Sequence, residues 1–189
     1  MTSYLVLHGW QNHRPRDHWQ HWLADRLGEL GHDVTYPQLP DADDPSLDVW
    51  LGELARHLAQ AAPDVVLAHS LSAVLWLHAL DRGVPGTAGV GRVLLVAPPS
   101  GATLAGLPEV AAFAPPAPGF ALPGPTLLAA GDDDPYCPGG AGQEYGEPYG
   151  ITTRLLPGAA HLDLDAGYGP WPAVLAWCLD AGAPLTPNR

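Results

Sequence analysis

Short apolar runs in this chain alternate with longer amphipathic stretches, and that alternation predicts the fold class. The runs are Tyr4–Leu7, Asp33–Tyr36, Val65–Ala68, Val93–Ala97, Thr126–Ala130 and Thr152–Leu156. Brief apolar runs of this kind suit parallel strands buried on both faces. Between them, helical patterning occurs near His18–Leu30, Leu47–Ala61, Leu71–Leu80, Gly139–Tyr145 and Pro172–Asp180. Strands alternating with helices predict an α/β fold: a three-layer arrangement with a parallel six-stranded sheet and helices on both faces. Asp17 and Ser46 stand where N-caps of the first two helices are expected, and Gly31 where a C′ residue ends the first. Trp19 and Trp22, at i and i+3, are expected to pack the first helix onto the sheet.

One stretch breaks the rhythm. Pro98, Pro99, Pro108, Pro115, Pro116, Pro118, Pro123 and Pro125 crowd a segment in which only Leu104–Phe113 has the pattern of a short helix. It follows the fourth strand, and two readings stay open: a cap lining a substrate pocket, or a stiff surface connection. Its Leu104, Leu107, Val110, Phe113, Phe120 and Leu122 would suffice to wall a small acyl pocket. No internal repeat or linker divides the chain, and 189 residues suit a single domain over 1–189, with 98–125 as its cap or connection.

Composition narrows the function classes. A net charge of -12 argues against nucleic acid or an anionic membrane as partner, because both select basic surfaces. All eight basic residues are arginine, so Schiff-base chemistry and a lysine base are excluded. The amino-terminal residues lack the pattern of a signal peptide, and no run reaches the length of a membrane span. Cys137 and Cys178 are too few for a disulfide framework, so free thiols and a cytoplasmic setting are expected. His18 and His21 have a spacing that could serve a metal, but no further cluster supports one, and neither metal nor cofactor is expected.

The candidate chemistry begins at Asp64-Val-Val-Leu-Ala-His-Ser70-Leu-Ser-Ala73. Ser70 lies where an apolar strand hands over to a helix, the setting of a nucleophile elbow. The flanking Ala68 and Ser72 are small, as that tight turn requires, although an N-capping serine would read the same way in this run alone. Two later strand ends change the balance. Thr126–Ala130 leads into Gly131 and the acidic Asp132-Asp133-Asp134, and Thr152–Leu156 leads into a small-residue turn bearing His161. Serine, acid and histidine in that order, each after a strand, is the order of α/β-hydrolases. His69 neighbours the serine around a sharp turn, so its ring points away and a structural role is expected. Asp163 and Asp165 share the histidine's own loop and are poorer partners for it. Cys137 has no basic neighbour to favour a thiolate and is expected to pack.

With these segments placed, the chain resembles the small serine hydrolases of the retinoblastoma-binding and YdeN-like family. The matching pieces are His8-Gly9-Trp10, His18-Trp19, Ala68-His69-Ser70-Leu71, Val96-Ala97-Pro98-Pro99, Asp133-Asp134-Pro135-Tyr136-Cys137, and His161 followed by Gly167-x-Gly169-x-Trp171-Pro172. The resemblance implies a compact α/β-hydrolase fold with no large inserted cap, Ser70 as nucleophile, His161 as base and Asp134 as acid. It selects Asp134 because the matching acid directly precedes proline. Ser72 and Ala160 depart from the family's usual glycines at those turns. An oxyanion hole would draw on the backbone N–H of Leu71, at a helix N-terminus, and of Trp10, with Gly9 shaping the turn. A strand order of 2-1-3-4-5-6 would bring Trp10 beside Ser70 at the topological switch point. The expected activity is hydrolysis of a small carboxylic ester through an acyl-enzyme. The alternatives are an acyltransferase or cyclase on the same triad, or a binding protein on a hydrolase fold.

Overall fold

The computed structural model describes residues 1–188. Its strands are β1 (Ser3–Leu7), β2 (Asp33–Thr35), β3 (Val65–His69), β4 (Arg92–Val96), β5 (Thr126–Gly131) and β6 (Thr152–Leu156). They form one six-stranded sheet in the order β2-β1-β3-β4-β5-β6, and every pairing is parallel. The helices are α1 (Trp19–Glu29), α2 (Leu47–Ala61), α3 (Leu71–Asp81), α4 (Gly101–Ala105), α5 (Glu147–Tyr149) and α6 (Pro172–Leu179). This is the three-layer α/β arrangement, a parallel six-stranded sheet with helices on both faces, that the alternation of runs predicts.

The pleat divides the apolar residues of the strands between two cores. Leu5, Leu7, Val66, Ala68, Val93, Leu95, Leu128 and Ala130 face α2 and α3. Tyr4, Val6, Val65, Leu67, Leu94, Val96 and Ala129 face α1 and α6. Because both faces are covered, the central strands read as continuous apolar runs rather than alternating ones. Helix α3 is buried around its whole circumference from Leu71 to Ala79, which is why its sequence is apolar on every face. Each leucine or valine closed into these cores contributes roughly 1.5–3 kcal/mol relative to exposure.

Several local expectations shift. The N-cap of α1 is His18, not Asp17: its Nδ1 accepts the Gln20 N–H at 3.3 Å. Ser46 caps α2 as expected, and Gly31 follows the C-cap of α1 with φ 83°. Trp19 is fully buried, whereas Trp22 is only partly covered by the same core. Leu104–Phe113 is not one helix. Gly106 and Pro108 interrupt it, leaving α4 and a 3₁₀ turn at Ala111–Phe113. The helix expected over Gly139–Tyr145 starts late, as a π turn at Gly142–Gly146 running into α5, because Gly140 adopts φ 87°.

Gly131 ends β5 where another backbone passes very close. A Cβ there would lie 2.7 Å from the Ala160 nitrogen, so the loop bearing His161 can approach only because the side chain is absent. Gly28, exposed in α1, has open space around its missing Cβ. Gly131→Ala is therefore expected to lower stability by about 1–3 kcal/mol, whereas Gly28→Ala is expected to raise it by about 0.5–1 kcal/mol. Urea unfolding of both variants checks this contrast.

Candidate active site

Ser70 sits between the last residue of β3 and the first of α3, with φ 55° and ψ −122°. A non-glycine residue in this conformation is strained and persists only where its surroundings over-determine it. Its N–H donates to the Val96 carbonyl at 2.8 Å, and its carbonyl accepts the Ala73 N–H at 2.9 Å. The Ser72 hydroxyl donates to the His8 carbonyl, tying the start of α3 to the end of β1. Ser72, the departure from glycine, thus makes a cross-strand tie of its own. Gly9 completes the turn: a Cβ there would stand 2.7 Å from the Ser70 Cβ. Leu71 is the first residue of α3, so its amide has no acceptor within the helix.

His161 reaches Ser70 from the opposite end of the sequence. Its Nε2 lies 2.9 Å from Ser70 Oγ, and its Nδ1 lies 2.9 and 3.1 Å from the Asp134 carboxylate oxygens. A carboxylate only accepts, so Nδ1 carries the proton and Nε2 is left to accept from the serine hydroxyl. Asp134 is 4% exposed and His161 8%, so water does little to weaken the pair. Asp134 Oδ1 also accepts the Tyr136 N–H at 2.9 Å, which fixes the carboxylate plane.

The aspartates beside it hold the same loop. Asp132 accepts the Gly158 N–H and Asp133 the Ala160 N–H, each at 2.8 Å. Three consecutive acids thus do three jobs, and only Asp134 meets the imidazole. Ala160 and Leu162 take φ 43° and 52°, so the histidine projects from a left-handed turn. Asp163 lies away from the ring's Nδ1, and its carboxylate accepts the Ala166 N–H.

The serine and histidine open into a cavity of about 470 Å³. Leu71, Leu104, Leu107 and Val110 form an apolar wall, while His13, His18, Asp163 and Asp165 line the polar side. Trp10, half-buried, also lines it, and its indole N–H donates to the Asp43 carbonyl at 2.9 Å. The proline-rich segment therefore contributes part of the wall, but not all the residues expected of it. Phe113 is wholly buried against Trp50, and Phe120 and Leu122 pack on the core beneath. Tyr136, which patterning did not single out, places its ring 4.5 Å from that of His161. Among the described residues, no group of three metal-ligating side chains comes together. His18 and His21 instead spend their Nδ1 atoms on the α1 cap and the Arg14 carbonyl.

Burial tunes the other titratable groups nearby. It raises the Cys137 thiol to about 12, so this residue is no nucleophile at neutral pH. It lowers His8 and His18 from 6.5 to about 4, and it lowers His69 well below its ordinary value. For His8 and His18, the unfolded chain binds protons that the native chain refuses between pH 6.5 and about 4. Stability from their neutral burial is thus full above pH 6.5 and is lost as pH falls through that window, on the order of 3 kcal/mol each. Urea midpoints are expected to fall steadily from pH 7 to about pH 4.5. A flat profile would contradict neutral, buried imidazoles.

No curated protein sequence matches the chain significantly. Among solved structures, the ydeN gene product of Bacillus subtilis superposes with a TM-score of 0.79 at 21% identity, covering 95% of this chain and 97% of that one. A YdeN-like hydrolase of Pectobacterium atrosepticum gives 0.76 at 22% identity, over 92% and 86%. The esterase domain of a Rhodothermus marinus protein gives 0.64 at 14%, over 95% and 85%. Identities this low carry the fold alone. The sequence model of one family, described as serine hydrolase, matches residues 4–179. With that match spanning nearly the whole chain and the paired serine and histidine inside it, the protein belongs to the serine hydrolase family.

Proposed function

We propose that the protein is an esterase that cleaves small carboxylic esters through an acyl-enzyme on a Ser70–His161–Asp134 triad. One observation carries the reading: an unbroken hydrogen-bonded line from Ser70 Oγ through His161 to Asp134, opening into a cavity with an apolar wall. His161 Nε2 accepts the serine proton as Oγ attacks the ester carbonyl carbon, then returns it to the leaving alkoxide. Asp134 holds the tautomer and stabilises the imidazolium. The oxyanion of the tetrahedral intermediate is met by the Leu71 N–H at the α3 N-terminus and by the Trp10 N–H. Water activated by the same histidine then releases the acid.

Size and composition support a short acyl group. A cavity of about 470 Å³ falls within the range of small-molecule sites, roughly 300–1,000 Å³. The segment 98–125 acts in this reading as a fixed wall of a single domain, with Leu104, Leu107 and Val110 against the acyl chain. Two free, buried cysteines are in keeping with a cytoplasmic setting.

Fluorophosphonate treatment is expected to add one adduct at Ser70, absent in Ser70→Ala, and an adduct at Ser72 or Cys137 would overturn the assignment. Asp134→Asn is expected to lower kcat by about 10⁴-fold, whereas Asp132→Asn and Asp133→Asn, which touch only backbone amides, lose far less. Across nitrophenyl esters from acetate to palmitate, kcat/KM is expected to peak at short chains. A steady climb with length would replace the small pocket with a lipase-type groove.

A further inference from the structure

Two imidazoles near the site remain outside the proposed chemistry, and each has a ring nitrogen that is buried and without a partner: Nε2 of His18 and Nδ1 of His69. Their other nitrogens decide which of these atoms carries a proton. The Gln20 N–H can only donate, so His18 Nδ1 is a lone pair and the proton sits on Nε2. The His161 carbonyl can only accept, and it lies 3.0 Å from His69 Nε2, so that nitrogen carries the proton and Nδ1 is the lone pair. His18 is left with an unused donor and His69 with an unused acceptor. Their ring centroids are 5.4 Å apart, with planes inclined by 55°. Leaving both unmet away from water is unfavourable, and the neighbouring rings hold one unused donor and one unused acceptor between them.

We propose that His18 and His69 are positioning residues for His161, linked in one hydrogen-bonded chain that runs from the α1 N-terminus to the His161 carbonyl. The proposal rests on the reading of His161 as the base. The chain orders the Gln20 N–H, the His18 ring, the His69 ring and the His161 carbonyl, with every link pointing the same way. Burial keeps both rings neutral at neutral pH, as one proton per ring requires.

The need for such an anchor lies in the turn itself. His161 is flanked by the left-handed Ala160 and Leu162, a conformation the turn does not favour alone. Asp133 holds the turn at the Ala160 N–H. On the other side, the Trp19 indole N–H donates to the Leu162 carbonyl at 2.9 Å, and His69 donates to the His161 carbonyl. Two successive carbonyls of the turn are thus gripped from the start of α1, one by Trp19 and one through His18. This accounts for the adjacent pair His18-Trp19 as a unit. Displacing an imidazole base by a fraction of an ångström slows the chemical step while leaving the acyl pocket intact.

The test combines ring NMR with kinetics on the intact protein. In protein labelled with ¹⁵N at histidine, both His18 and His69 are expected as the Nε2–H tautomer, with slowly exchanging ring protons. His18→Asn keeps a side-chain acceptor for the α1 cap but removes the ring donor. It is expected to move the His69 Nδ1 resonance toward that of a free acceptor and to lower kcat about tenfold. His69→Gln, which keeps an amide donor for the His161 carbonyl, is expected to recover part of the kcat lost in His69→Leu. Either ring in the opposite tautomer, or a His69 resonance unmoved by His18→Asn, overturns the chain. An unchanged kcat in His18→Asn overturns the positioning role. If the wild-type protein hydrolyses no ester, the esterase reading fails on its own, and the ring resonances still decide whether the chain exists.

Discussion

The structure depends on a single strained residue. Ser70 holds a backbone conformation that costs on the order of 1–3 kcal/mol, and nothing local to the serine favours it. Three neighbours hold it there: β4 through the Val96 carbonyl, β1 through the Ser72–His8 tie, and the bare α-carbon of Gly9. Each of these needs the parallel sheet in its observed order, with β3 between β1 and β4. The same turn that lifts the hydroxyl above the sheet also frees the first amide of α3. The strain, the placement of the hydroxyl and the free amide therefore have one structural origin.

Strain recurs along this edge of the sheet. Gln11, Ala97, Ala160 and Leu162 also adopt positive φ without being glycine. All follow strands β1, β4 or β6, where the chain must turn sharply over the strand ends. The compensation is polar and specific, as the acidic triplet after β5 shows: two carboxylates hold backbone amides of the histidine loop and the third orients the ring. The stability of the cores on either side of the sheet permits the site to hold conformations that would not persist in an isolated loop.

Much of this was legible in the sequence, for definite reasons. Strands buried on both faces leave apolar runs that no other element explains, so β1, β3, β4 and β5 could be placed within a residue or two. The positions of Ser70 and His161 followed from strand ends and chain order, whereas Asp134 was singled out only by the family resemblance. What was not legible depended on direction rather than position. Three adjacent aspartates look alike until their carboxylates are seen to point at three different groups. The α1 cap moved from Asp17 to His18 because the His18 ring is buried beside His69 and Trp19, a tertiary contact that helix-end rules do not contain. The proline-rich segment offered a run of apolar residues but no sign of which would face the cavity. Phe113 went inward to Trp50, while Leu104, Leu107 and Val110 were left to face the cavity.

The sequence separations within the site have a consequence for how the protein matures. Asp134 and His161 are 27 residues apart and close on adjacent strands β5 and β6, whereas Ser70 and His161 are 91 residues apart and meet only across the sheet. Loop closure over the longer span is slower and comes at a higher entropic cost. During synthesis, the turn bearing the serine can assemble with β1, β3 and β4 while Asp134 and His161 are still unmade. Under the triad proposed above, the nascent chain carries an unarmed hydroxyl until its last strand docks. Reactivity toward a serine-directed probe would therefore report completion of the sheet itself.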